Sequence, residues 1–245
     1  MTYQGNYFEK GITSIPKNHE ILQKCYLCGD QSDLDREHVI PKVIFRPNRP
    51  TNPIILKSCK RCNNNLKGKN EEYMVRAIQL TSFNEEAQKG FDKAINGFNK
   101  GQGLGIRGSL ISKMQKGGLK TQEGVLLGTV NLLNINAKRM NDLIINIAKG
   151  LLVAHSLKLY DWSKYNVRIR FDQTVQDMFL INDPNFRDII NKSRFSQNWN
   201  GNFFYCGDFI EDGNISIWTM IFYNSHIATV SFYKKGRLRF KKESK

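Results

Sequence analysis

Four of the five cysteines fall in two pairs, Cys25-x-x-Cys28 and Cys59-x-x-Cys62, with 30 residues between the pairs. Nothing else in the chain restricts its fold as strongly. Two such knuckles can give four thiolates to one tetrahedral zinc ion. A redox C-x-x-C is the competing reading, but it needs one pair only and would leave the other without a role. The insert of 30 residues is longer than the roughly 15–20 of the commonest pattern, so it must be a structured excursion. Cys206 stands apart. The opening stretch "MTYQGNYFEK" has no apolar run and no small-residue cleavage site, so the expected compartment is the cytoplasm, where structural disulfides are rare.

The 245 residues, 40% hydrophobic and 24% charged, suit a globular chain of one large or two small domains. The longest apolar stretch, "DLIINIAKGLLVAHSLKLY", is interrupted by Lys149 and Lys158, which excludes a membrane-spanning helix. The formal net charge is +15 and the pI about 9.6. That balance favours a polyanionic partner, most commonly nucleic acid. The excess is spread along the chain: residues 1–80 hold 13 Lys/Arg against 8 Asp/Glu, and "KKGRLRFKKESK" holds seven basic residues against one acidic. A lysine-rich solvated surface has the same composition, and charge says nothing about catalysis.

Residues 1–24 form a leader with one short helix in "NHEILQK", and the cysteine-bounded part ends near residue 83. Within it, "LDREHVIPKVIF" suits a short strand or turn that Pro41 terminates. "RPNRPTNP" is a loop. "NEEYMVRAIQLTSF" carries apolar Met74, Val75 and Ile78 at helical spacing, with Glu71 and Glu72 in the first turn. Residues 84–124 read as a basic, glycine-rich connection. Gly103-x-Gly105-x-x-Gly108 matches a dinucleotide fingerprint formally, but no strand precedes it. "GVLLGTVNLLNIN" predicts a strand, and Met140, Leu143, Ile144, Ile147, Leu151 and Ala154 predict a helix over about 136–160. His155 on that helix reads as a packed histidine. The last third alternates as an antiparallel sheet, with a hairpin turn at Asn224-Ser225. Its aromatics Trp199, Phe203, Phe204, Tyr205 and Trp218 suit a core, with stacking on bases as the other option. The expected class is therefore α+β: a zinc-held module over 1–83, a connection over 84–124, and a larger domain over 125–245 for target recognition or partner binding.

Between the cysteine pairs lies Glu37-His38, and Asn63 follows the last cysteine directly. A zinc ion closed by four thiolates cannot activate water. Its role is to pin a short strand against a helix start, which draws Glu37, His38 and Asn63 together. Glu37 and Asn63 offer hard oxygen donors of the kind magnesium prefers. His38 can take a proton from water near neutral pH. Each has a plainer reading: Glu37 paired with Arg36 or Lys42, His38 as a structural histidine or alternative zinc ligand, and Asn63 as a helix cap. Lys60, Arg61, Lys67 and Lys69 flank the site, with Arg36 and Lys42, as candidate phosphate contacts.

Cys25, Cys28, Glu37, His38, Pro41, Cys59, Cys62 and Asn63 together resemble the HNH (His-Me finger, ββα-metal) endonucleases. The likeness spans about 50 of the 245 residues, and the asparagine after the last zinc cysteine is similar to that of zinc-containing phage junction resolvases. The resemblance implies that Glu37 and Asn63 hold a catalytic magnesium or manganese ion, that His38 is the general base, and that the four cysteines hold a structural zinc. It implies hydrolysis of DNA phosphodiesters to 5′-phosphate and 3′-hydroxyl ends. The final histidine of the motif has no counterpart after Asn63; Glu71 is the favoured substitute, with Asn70 and Glu72 as alternatives. The expected substrate is double-stranded DNA in preference to RNA. Further expected partners are a second copy of the chain or a protein of a restriction or anti-phage defence system. The alternatives are a non-catalytic zinc-bearing nucleic-acid-binding protein and a nuclease subunit that is active only with a partner.

Overall fold

Buried and less buried positions alternate along "HIATVSFYK" and most of "ISIWTMIF", whereas "FFYCGDFI" is buried through its first five residues; both patterns suit strands of a sheet. The computed structural model describes residues 15–45, 50, 52–82, 114–121, 123–133, 135–173, 191–199, 201–210 and 214–236, with single positions 85, 87, 89 and 188. Over these residues the protein is α+β. In chain order the elements are β1 (Leu34–His38), β2 (Ile55–Cys59), α1 (Lys69–Thr81), β3 (Met114–Lys120), β4 (Leu126–Leu133), α2 (Ala137–Ser156), β5 (Tyr165–Gln173), β6 (Phe195–Trp199), β7 (Phe203–Ile210), β8 (Ile215–Phe222) and β9 (His226–Lys234). Among the described residues β1 pairs with β2, β3 with β4, and the last five strands form one sheet in the order β5-β9-β8-β7-β6. All the pairings are antiparallel. No helix among the described residues is long and apolar enough to cross a membrane.

The five-stranded sheet buries Phe203, Tyr205, Trp218, Met220, Phe222, Val230 and Phe232. Phe204 is buried on its other face, in a small cluster with Cys206 and Ile221. Phe203, Phe204, Tyr205 and Trp218 are thus core residues, and the base-stacking option does not hold for them. Gly207 makes room for the Trp218 ring, since a Cβ there would also lie 2.6 Å from the Ile217 carbonyl oxygen. Three residues, Tyr223–Ser225, join β8 to β9, and the expected Asn224-Ser225 turn lies within them. Ser225 N–H donates to the Phe222 carbonyl at 3.0 Å, and Tyr223 (φ 50°) and Asn224 (φ 52°) take the two central positions. Positive φ at both is the signature of a type I′ turn. Asparagine adopts that conformation readily, whereas tyrosine rarely does.

Helix α2 begins at the Asn136 cap, whose side chain accepts from Arg139 N–H at 3.1 Å. It ends at Ser156, four residues short of the expected 160, where Leu157 turns to φ 54°. It packs against the sheet and against α1. Its approach to the turn after β1 is close: a Cβ at Gly150 would lie 2.6 Å from Val39 Cγ1. One continuous buried cluster takes in Ile21, Ile44, Leu56, Met74, Ile147 and Phe222, so the cysteine-bounded part and the C-terminal sheet share a core.

Three strands escape the sequence pattern. β2 and β6 are short, and β3 runs through Gly117 and Gly118 within the expected connection over 84–124. Cross-strand pairing, with β4 in the case of β3, defines them more than side-chain alternation does. "NHEILQK" yields only a short 3₁₀ turn, Glu20–Leu22. The glycines at 103–108, most of the "RPNRPTNP" loop and the "RLRF" segment at 237–240 lie outside the described residues.

Candidate metal centre and adjoining cleft

The first knuckle closes on itself. Gly29 N–H donates to the Cys25 carbonyl at 2.8 Å and Cys25 N–H to the Asp30 carbonyl at 2.7 Å. Gly29 stands at φ 79°, where a side chain would be strained. The knuckle is fixed from two sides: Tyr26 N–H donates to the Lys57 carbonyl of β2 at 3.0 Å, and the Trp162 indole N–H to the Tyr26 carbonyl at 2.8 Å. The second pair sits where β2 becomes helix. Cys59 ends the strand opposite Leu34, and Cys62 lies in the wide, π-type turn Arg61–Gly68 that leads into α1.

These two turns bring the four sulfurs within 4.8 Å of one another, with Cys28 and Cys59 Sγ 3.7 Å apart. A zinc tetrahedron with bonds of about 2.3 Å has sulfur–sulfur edges of about 3.8 Å, so the cluster fits that ion. Its electrostatics point the same way. Burial pushes the Cys62 thiol well above its ordinary range, and the neighbouring cysteines add to this. Burial likewise raises Cys25. Burial also opposes ionisation of Cys28, but the Asp30 N–H and the thiols of Cys25, Cys62 and Cys59 outweigh it and leave Cys28 below the usual value. Four thiolates this close repel one another unless a cation lies between them. The four cysteines are thus positioned to bind a metal ion.

A cleft of about 290 Å³ adjoins this centre, lined by Arg36, Glu37, His38, Lys42, Val43, Asn63, Glu71 and Glu72. Glu37 is buried and His38 ends β1. Lys42 and Val43 come from a 3₁₀ turn, Lys42–Phe45, that follows Pro41. Asn63 enters directly after Cys62, and the two glutamates stand in the first turn of α1. A second, smaller cleft of about 130 Å³ shares His38 and Lys42 and is walled by Phe45, Pro50 and Pro53, so His38 lies between the two.

The structure therefore brings Glu37, His38, Asn63 and Glu71 to one cleft, with Arg36 and Lys42. Two of the other flanking cations go elsewhere. Lys60 is exposed and pairs with Asp33 at 3.8 Å. Arg61 lies beside Cys28, whose sulfur, with the charge of the other cysteines, raises the Arg61 pKa. It serves the sulfur cluster and does not line the cleft. The side chains of Lys67 and Lys69 lie outside the described residues.

The two glutamates differ. Glu72 Oε1 accepts from Arg76 Nη2 at 2.7 Å and from Arg76 Nε at 3.0 Å, and Arg76 is almost fully buried. Arg76 Nη1 donates in turn to Gln79 Oε1 at 2.6 Å. Gln79 Nε2 donates to the Tyr223 hydroxyl at 2.9 Å, which donates to the Ile44 carbonyl at 2.8 Å. Burial pushes the Tyr223 phenol up, so it stays protonated and remains a donor. Sequence reasoning missed this chain. Its first half follows i,i+4 and i,i+3 helix spacing and was in principle visible. Its second half joins residues 144 positions apart, for which no local signal exists.

Comparison with protein-family models, with curated proteins and with solved structures finds no match.

Proposed function

We propose that this chain is an HNH-type endonuclease that hydrolyses phosphodiester bonds in DNA. One observation carries the reading: a single cleft beside the four-cysteine centre gathers a histidine, an asparagine, carboxylates and two cations. Glu37 and Asn63, with Glu71 completing the set, would hold a divalent cation through hard oxygen donors. When bound, magnesium or manganese would neutralise charge on the scissile phosphate and on the departing 3′ oxygen. The chain's own groups divide the remaining work. His38 accepts the proton of the attacking water as that water bonds to phosphorus. Arg36 and Lys42 draw the backbone phosphates into the cleft. Glu72, tied to Arg76, contributes a neutralised wall. The four cysteines would hold zinc as a structural ion, fixing β1, β2 and the start of α1. The net charge of +15 supports a polyanionic substrate, and double-stranded DNA, a cytoplasmic location and a role in restriction or anti-phage defence complete the proposal.

The test is nicking of supercoiled plasmid by zinc-loaded protein with magnesium or manganese. His38→Ala should lower the rate by about 10² or more while zinc content and DNA affinity stay unchanged. DNA binding with no nicking in any divalent metal, alone or with co-purified partners, would refute the enzyme reading and leave a binding protein.

A further inference from the structure

Tyr223 is unusual in two ways. Its backbone stands at φ 50°, a conformation that persists in a bulky residue only where the surroundings over-determine it. Its hydroxyl is buried and committed in two directions. It accepts from Gln79 Nε2 at 2.9 Å and donates to the Ile44 carbonyl at 2.8 Å. The first branch runs through Arg76 to Glu72 in the cleft wall. The second ends on the Lys42–Phe45 turn, whose first two residues line the same cleft. Each donor in this path has its acceptor, so the path has one direction and one arrangement.

We infer that Tyr223 is a positioning residue of the cleft: from the β8–β9 turn it fixes Glu72 through Gln79 and Arg76, and fixes the turn carrying Lys42 through the Ile44 carbonyl. What the cleft does rests on the nuclease reading; the relay itself does not. The C-terminal sheet thereby supplies part of the rigidity of the N-terminal site. The Glu72 carboxylate, through Arg76 and Gln79, and the backbone of the turn that carries Lys42, through Ile44, are thus tied to one hydroxyl.

The test compares Tyr223→Phe with Ser225→Ala in the full zinc-loaded chain. Ser225→Ala disturbs the same turn but leaves the relay intact. It removes the hydroxyl that contacts His226 Nδ1 at 2.8 Å. Amide hydrogen exchange is read first. Tyr223→Phe should speed exchange at 42–45 and 69–76 by roughly tenfold or more, with β7 unchanged, and Ser225→Ala should leave 42–45 as in the wild type. Gln79→Met cuts only one branch and should act on 69–76 alone; it also replaces Tyr223→Phe should that variant fail to fold. Faster exchange confined to the β8–β9 turn, or the same pattern in Ser225→Ala, would overturn the inference. Plasmid nicking is read second, where Tyr223→Phe should lower kcat roughly tenfold with KM for DNA unchanged. A wild type that never nicks sinks the nuclease reading, while hydrogen exchange still decides the relay.

Discussion

Lowering the pH from 8 to 5 should destabilise this fold through two histidines whose surroundings favour the neutral ring. His226 is almost fully buried. The Thr81 hydroxyl donates to the Ala77 carbonyl at 2.8 Å, so it accepts from His226 Nε2 at 3.0 Å. Nδ1 then accepts from Ser225 at 2.8 Å, and Phe171 stacks on the ring. His155, half-buried, places Nε2 2.8 Å from the Tyr205 hydroxyl and lies 4.2 Å from the Phe195 ring and 5.4 Å from that of Trp218. Burial lowers the pKa of His155 to about 3 and that of His226 to about 4. In the unfolded chain both take up a proton near pH 6.5 or so. Below that pH the unfolded state therefore binds more protons than the folded one. Stability is complete above about pH 6.5 and is lost as the pH falls towards the folded values. At pH 5 the loss is about 2 kcal/mol for each histidine, or about 4 kcal/mol together. The assay is urea unfolding at pH 8, 6.5 and 5, followed by tryptophan fluorescence, on the wild type and His155→Phe. The variant should start about 1–2 kcal/mol lower at pH 8, because the Tyr205 hydroxyl loses a partner. Its loss between pH 8 and 5 should be smaller than that of the wild type by about 2 kcal/mol. Metal release from the cysteines on acidification is common to both proteins and cancels in that difference. Parallel curves for the two proteins would refute the reasoning.

Two further outcomes follow from the packing. Cys62→Ser, or chelation of the wild type, should abolish stoichiometric zinc binding and unfold the cysteine-bounded part. Structural zinc contributes on the order of 10 kcal/mol in small domains, comparable with the whole stability of a typical fold; metal analysis and circular dichroism read this directly. Gly150→Ala should destabilise the protein by about 1–2 kcal/mol. Its Cβ meets the stiff Val39 side chain, and the cost of overpacking outweighs the ~1 kcal/mol that alanine gains in a helix. Greater stability of this variant in urea would show that Val39 yields freely.

The chemistry nearest the cysteines was legible in the sequence because it is local. Two knuckles at C-x-x-C spacing dictate that four sulfurs can meet, and Asn63 follows Cys62 with no freedom to be elsewhere. Helical spacing marked α1 and α2, and period-two alternation marked β8 and β9, since burial of one face leaves a trace in every turn or pair of residues; β7, buried on both faces, showed only as a short aromatic-rich run. Tertiary structure alone decided among chemically equivalent side chains. Glu71 and Glu72 are neighbours with the same charge, yet the structure assigns Glu72 to Arg76. Six cations flank the motif, and among those whose side chains are described, Arg36 and Lys42 line the cleft while Lys60 and Arg61 turn to Asp33 and to Cys28. Tyr223 reads in sequence as one more aromatic before a turn. Its hydroxyl reaches Gln79 and Ile44 only because α2 and the five-stranded sheet close over the cysteine-bounded part. Local spacing fixes which atoms can reach one another within a few residues. Which of several equal candidates does so depends on contacts between residues far apart in the chain, and those leave no periodic signature.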